Sequence, residues 1–130
     1  MNKIIITSIL FLLISGLTGC ATKSKEQVFQ STLRSYERVI RWGDITKANQ
    51  FRKEPVLFSS AEKKKFKVIK VTGYDTQKVT QRDDSTVMIT VELRYYNEQY
   101  MREKTIDDHQ QWDYDATKNL WFISSPLPKF

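Results

Sequence analysis

Two groups of residues in this sequence have side-chain types that could do chemistry. The first is Asp107-Asp108-His109. Alternate side chains of an extended strand leave the backbone on the same side. Asp107 and His109 would then project together, a carboxylate beside an imidazole, which is a pairing suited to general acid-base work. Asp113 and Asp115 add oxygen donors nearby, yet the order of these residues fits neither an EF-hand loop nor a zinc pattern, so no metal and no cofactor are expected. No motif supplies a nucleophile, an oxyanion hole or a phosphate loop, and Gly16, Gly19, Gly43 and Gly73 are too scattered to build one. A solvated polar strand would carry the same acids and histidine. The expectation is therefore a chain with no catalytic residue, with a small enzyme using the Asp107/His109 region as the alternative.

The second group is a single residue, Cys20, the only cysteine of the chain. A lone thiol makes no intramolecular disulfide and no cysteine-based zinc site. It can still be alkylated, and its context points there. Met1-Asn2-Lys3 forms a short positive start, and residues 4–14 are apolar except for Thr7 and Ser8. That is the layout of a secretory leader, too short for the roughly 20 apolar residues of a stable membrane-spanning helix. The leader ends in Leu17-Thr18-Gly19-Cys20, which resembles the lipobox of bacterial lipoproteins.

The resemblance implies that Cys20 accepts a diacylglyceryl group and that a lipoprotein signal peptidase removes residues 1–19. The freed amine can be acylated as well. Several chains, at about 0.8 kcal/mol per buried CH₂, anchor a protein permanently where one would be marginal. The expected organisation is a removed signal peptide (1–19), a lipidated tether (20–24) and one α+β domain (25–130). Residue 21 is Ala rather than Asp. By resemblance to the sorted lipoproteins of Gram-negative bacteria, this implies the outer membrane, with the domain facing the periplasm. The expected partners are the membrane, through lipid on Cys20, and an envelope protein.

The chain carries 21 Lys and Arg against 15 Asp and Glu, and only Lys3 would leave with the leader. Such a moderate excess is ordinary for a solvated surface, and no nucleic-acid partner is expected. The densest basic cluster is Lys63-Lys64-Lys65 with Lys67 and Lys70, preceded by Arg52-Lys53. It reads either as a contact for anionic headgroups close to the tether or as a charged rim that keeps a sheet edge from pairing.

Local patterns set the elements that must position these residues. Ser24-Lys25-Glu26-Gln27 has the form of a capping box and opens a helix. Phe29, Leu33, Tyr36 and Ile40 then recur at spacings of four, three and four, one apolar face widened by Val28, Thr32 and Val39, until Gly43. Asp44 can cap a shorter helix carrying Ile45, Ala48 and Phe51, ended before Pro55, and Ser59 with Glu62 suggests a third helical turn. From residue 66 the pattern is extended. Residues 66–81 form a first strand with Gly73 placed for a bulge, and 82–85 turn. Residues 86–96 alternate Val87, Ile89, Val91, Leu93 and Tyr95 against polar neighbours, a strand with one buried face. Residues 100–114 and 120–124 supply two more strands, joined by turns at 97–99 and 115–119.

Helices followed by consecutive strands on short turns give an α+β fold: a long N-terminal helix plus short helices packed on a curved four-stranded antiparallel meander sheet. Val87, Ile89, Val91 and Leu93 are expected to meet Phe29, Leu33, Tyr36 and Ile40. This order, ending in Trp112-Asp113-Tyr114 and Leu120-Trp121-Phe122-Ile123, resembles the nuclear transport factor 2-like, or cystatin-like, superfamily over about residues 25–124. The resemblance implies a non-catalytic protein- or ligand-binding module, or an enzyme with Asp, His and Tyr in a conical pocket. Tyr95, Tyr96, Tyr100, Trp112, Tyr114, Trp121 and Phe122 would be core, or would line a pocket for a ring-containing ligand. Phe130 would dock on a partner or fold back.

Overall fold

The computed structural model describes residues 22–130. The leader, Cys20 and Ala21 lie outside the described residues. Helix α1 runs Lys25–Trp42 and starts on the full capping box: Ser24 Oγ accepts from the Gln27 amide, and the Gln27 side chain accepts from the Ser24 amide. Its apolar stripe buries Phe29, Tyr36 and Ile40, with Leu33 half-buried. At the other end Gly43 donates its amide to the Val39 carbonyl.

The next element, Ile45–Phe51, is a 3-10 helix capped by the Asp44 carboxylate on the Thr46 amide. Ile45, Ala48 and Phe51 are three apart, and side chains three apart eclipse in a 3-10 helix, so one edge of it meets the core. Helix α2, Ser60–Lys67, starts on a second capping box, Ser59 with Glu62. No described helix is long and apolar enough to cross a membrane.

The strands are β1 (Ile69–Asp83), β2 (Thr86–Asn97), β3 (Glu103–Asp115) and β4 (Leu120–Ile123), in the antiparallel meander order β1-β2-β3-β4. The class is α+β, as the sequence implies. Two strand starts differ from the sequence reading. Strand β1 begins at Ile69 rather than Phe66, because α2 continues through Lys67 and Phe66 packs edge-on against Phe58, ring centroids 5.4 Å apart. Strand β3 begins at Glu103 rather than Tyr100, because the amides of Tyr100 and Met101 both donate to the Asn97 carbonyl and hold a turn. Met101 closes that turn at φ 48°, a left-handed conformation in a non-glycine residue.

Gly73 does sit at a register shift in β1, between Val71 and Gly73. The Arg94 guanidinium crosses the strand there to reach Asp75 at 2.8 Å, and a Cβ on residue 73 would lie 2.5 Å from Arg94 Nε. Beyond Tyr74, residues 75–83 of β1 are exposed on both faces.

The core is one cluster between α1, the 3-10 helix and the inner sheet face, and it contains Val87, Ile89, Val91 and Leu93 with Phe29, Tyr36 and Ile40. Its centre is Trp112 on β3, fully buried. The indole meets Tyr36 edge-on at 5.2 Å and Phe29 at 6.4 Å, while Phe29 also stacks on Trp121 at 4.4 Å. One side chain therefore joins two turns of α1 to the sheet. Replacing it should cost what large buried aromatics cost. Trp112→Ala is expected to lower unfolding stability by about 3–5 kcal/mol in a urea titration, and Val79→Ala, at an exposed position, by no more than about 0.5 kcal/mol.

Candidate functional site

Strand β3 sorts its polar residues by parity. Ile106, Asp108, Gln110 and Trp112 face α1, whereas Asp107, His109, Gln111 and Asp113 face away from it. Asp107 and His109 do share a side, but it is the open face of the sheet, where both are exposed. There Asp107 pairs across from Glu92, and His109 Nδ1 lies 3.2 Å from Thr90 Oγ1. A recess of about 520 Å³ runs along the free edge of β3, lined by Ile106, Asp107, Asp108, His109, Pro126, Leu127 and Lys129. Asp108 reaches it from one face of the strand and Asp107 and His109 from the other, so the three do not converge on a common point.

The buried acid is Asp108. Gln110 Nε2 donates to its Oδ2 at 2.7 Å and to Tyr74 Oη at 3.0 Å, and Trp112 Nε1 donates to Gln110 Oε1 at 3.0 Å. Burial raises the Asp108 carboxyl pKa above the usual aspartate value, against the pull of the Gln110 hydrogen bond and the nearby His109. Burial likewise raises the pKa of the Tyr36 and Tyr74 phenols. Gln110 joins Asp108 and Tyr74 on the inner face, while the buried Tyr36 hydroxyl has no hydrogen-bond partner. Among the described residues no group of three or more His, Cys, Asp or Glu is placed to hold a metal ion.

A different cavity lies where β2 turns into β3. It measures about 500 Å³ and is lined by Lys65, Ile69, Tyr95, Asn97, Tyr100, Arg102, Lys104 and Phe130. Each wall has a separate origin. Tyr95 and Asn97 come from the end of β2, with Lys104 opposite Tyr95 and Ile69 opposite Asn97 in the strand registers. Tyr100 and Arg102 come from the connection 98–102, and Lys65 from the last turn of α2. Phe130 folds back on its own domain and meets the Tyr95 ring edge-on at 5.0 Å.

The lining holds three cationic side chains and no acidic one. The ion pairs found among the described residues are Glu37 with Arg41, Lys53 with Asp115, Lys70 with Glu98 and Asp75 with Arg94, and none of these uses a cavity cation.

Other sequence-flagged residues have structural roles. Trp112 and Trp121 are core, and the Trp121 indole donates to the Lys25 carbonyl at 3.2 Å. The Lys25 ammonium lies 4.6 Å from the Tyr114 ring centroid, and Lys118 lies 5.6 Å from that of Phe122.

These contacts fix α1's start at the β3-β4 end of the sheet. Lys65 lies at the opposite end, beside Asn97, so the Lys63-Lys64-Lys65 cluster stands away from the start of α1. Arg102 and Lys104 carry no sequence signal of their own, one lying just before a weakly alternating strand and the other at its start.

No protein-family model matches this chain, and a search of curated proteins finds no significant relative. What the chain does must be argued from its own residues.

The buried acid has a consequence for stability. Because the folded-state pKa of Asp108 is raised, the unfolded chain ionises this group first as pH climbs. Its contribution is neutral at acid pH, falls as pH rises through the ordinary aspartate value near 4, and levels off above the raised folded value. Asp108→Asn keeps the acceptor for Gln110 and removes the titration. Its curve of stability against pH should be flatter above about pH 4 than that of the unmodified protein, and parallel curves in urea titrations would count against a buried, titrating Asp108.

Proposed function

We propose that this chain is a membrane-anchored envelope lipoprotein whose folded domain is a non-catalytic binding module. Processing before Cys20 and acylation of its thiol would hold the domain at the outer membrane on the periplasmic side. Support for the anchor is the leader and Leu17-Thr18-Gly19-Cys20, together with a capped helix that begins only five residues after the cysteine. Support for the binding role is the cavity at the β2-β3 end. It combines rings and unpaired cations around one opening, whereas Asp107 and His109 stand on the open sheet face. That contrast is the single observation that carries the reading.

The order of a long helix, short helices and a four-stranded meander is also the layout that suggested a cystatin-like domain, and we adopt that kinship as part of the proposal. Within it, helix and sheet are the scaffold, and the end of the sheet is the working surface.

The anchor is tested by the intact mass of the protein extracted from its own membranes. The expected species starts at Cys20 and carries diacylglyceryl and acyl mass. An inhibitor of lipoprotein signal peptidase should accumulate the full-length chain, and Cys20→Ser should leave it without acyl mass. A soluble, cleaved product with an unmodified thiol would overturn the proposal. Affinity capture of the acylated form reads out the envelope protein partner in the same preparation.

A further inference from the structure

The two ends of the domain are lined by different residues. Helix α1 starts beside the β1-β2 turn, where Lys25, Glu26 and Phe29 share a groove with Val79, Gln81, Asp84 and Val87. The cavity lies at the other end of β2, next to Asn97. At about 3.3 Å per residue, those ends of β2 are separated by roughly 35 Å. The stretch from Cys20 to Lys25 reaches at most about 18 Å when fully extended. A lipid on Cys20 thus holds the end of the domain opposite the cavity.

The chemistry of the cavity specifies what it can take. Lys65, Arg102 and Lys104 give it positive charge from three separate elements, and no acidic side chain lines it. Tyr95, Tyr100 and Phe130 give it flat apolar faces, and the Asn97 amide adds a donor and an acceptor. Arginine and lysine bind oxyanions through charge-assisted hydrogen bonds, and aromatic walls favour a flat apolar body. A volume of about 500 Å³ suits a small molecule rather than a protein segment.

We propose that this cavity binds a small water-borne oxyanion with a ring-bearing body, its phosphate or carboxylate against Arg102, Lys104 and Lys65 and its ring among Tyr95, Tyr100 and Phe130. This deepens the binding-module reading and rests on it. The remote tether makes a soluble ligand the source, rather than the headgroups of the anchoring membrane.

The test uses the full acylated protein in phosphatidylcholine nanodiscs, titrated by calorimetry with 1-naphthyl phosphate. Saturable binding of one molecule per chain is expected, with inorganic phosphate and 1-naphthol each binding at least ten-fold more weakly because each offers half of the recognition. Arg102→Gln with Lys104→Gln should weaken 1-naphthyl phosphate about ten-fold and leave 1-naphthol unchanged. Phe130→Ala should weaken both ring-bearing probes several-fold. Lys53→Gln with Lys118→Gln removes equal charge far from the cavity and should leave binding unchanged. Thermal melting of each variant checks that the fold persists, and the two single substitutions, Arg102→Gln and Lys104→Gln, replace the double variant if it melts early.

Absence of saturable binding overturns the proposal, as does an equal loss in the two double variants. Competition by phosphatidylglycerol vesicles would overturn the water-borne source in favour of a lipid headgroup. Failure of these titrations with Cys20 acylated would sink the ligand assignment alone, whereas an unmodified Cys20 would sink the anchor.

Discussion

Everything in this domain hangs on the contact between α1 and the indole of Trp112. A long amphipathic helix and an open four-stranded sheet each have one apolar face, and neither is stable with that face in water. Trp112 fills the space between Phe29 and Tyr36, so α1 is fixed in both height and rotation over β3. Its Nε1 proton is satisfied by Gln110, whose amide group is in turn held by Asp108 and Tyr74. A polar chain therefore runs through an otherwise apolar interface, with partners for its buried donors. It fixes rotamers where apolar packing alone tolerates alternatives.

With α1 seated, the free edges follow. Strand β1 is long and lies at an edge, a surface that invites pairing with other chains. Three register shifts, together with Lys70, Lys78 and Arg82, break its regularity. The free edge of β3 is covered differently. Ser124 donates its amide to the Gln111 carbonyl, the Gln111 amide donates to Ser125 Oγ, and the last residues continue past Leu127 to seat Phe130 on Tyr95. The tail that shields this edge thus becomes a wall of the cavity.

Local signals made much of the fold legible. Both capping boxes are four-residue patterns whose hydrogen bonds close within the pattern, so nothing distant can alter them. The alternation of β2 was legible because all five inward positions, Val87 through Tyr95, are apolar. On β3 the alternation is weak, and Asp107 with His109 looked like the pair of interest. Ile106 and Trp112 share the parity of Asp108 and Gln110, and that parity is the sequence signal for which acid goes inside. The start of β3 was misplaced because Tyr100 favours strands, while Asn97 captures the two amides that a strand would have needed. The cavity was legible only in fragments, since Lys65, Arg102, Lys104 and Phe130 meet through the tertiary fold alone.

The central claim is that the working surface lies at the end of the sheet opposite the tether. Hydrogen exchange of the acylated protein in nanodiscs, with and without saturating 1-naphthyl phosphate, tests this most directly. The account predicts added protection confined to residues 95–104, the last turn of α2 and the tail approaching Phe130, with no change near the start of α1 or along 79–87. Protection centred on residues 106–109, or beside Lys25, would contradict it and move the site to the edge of β3 or to the tethered end.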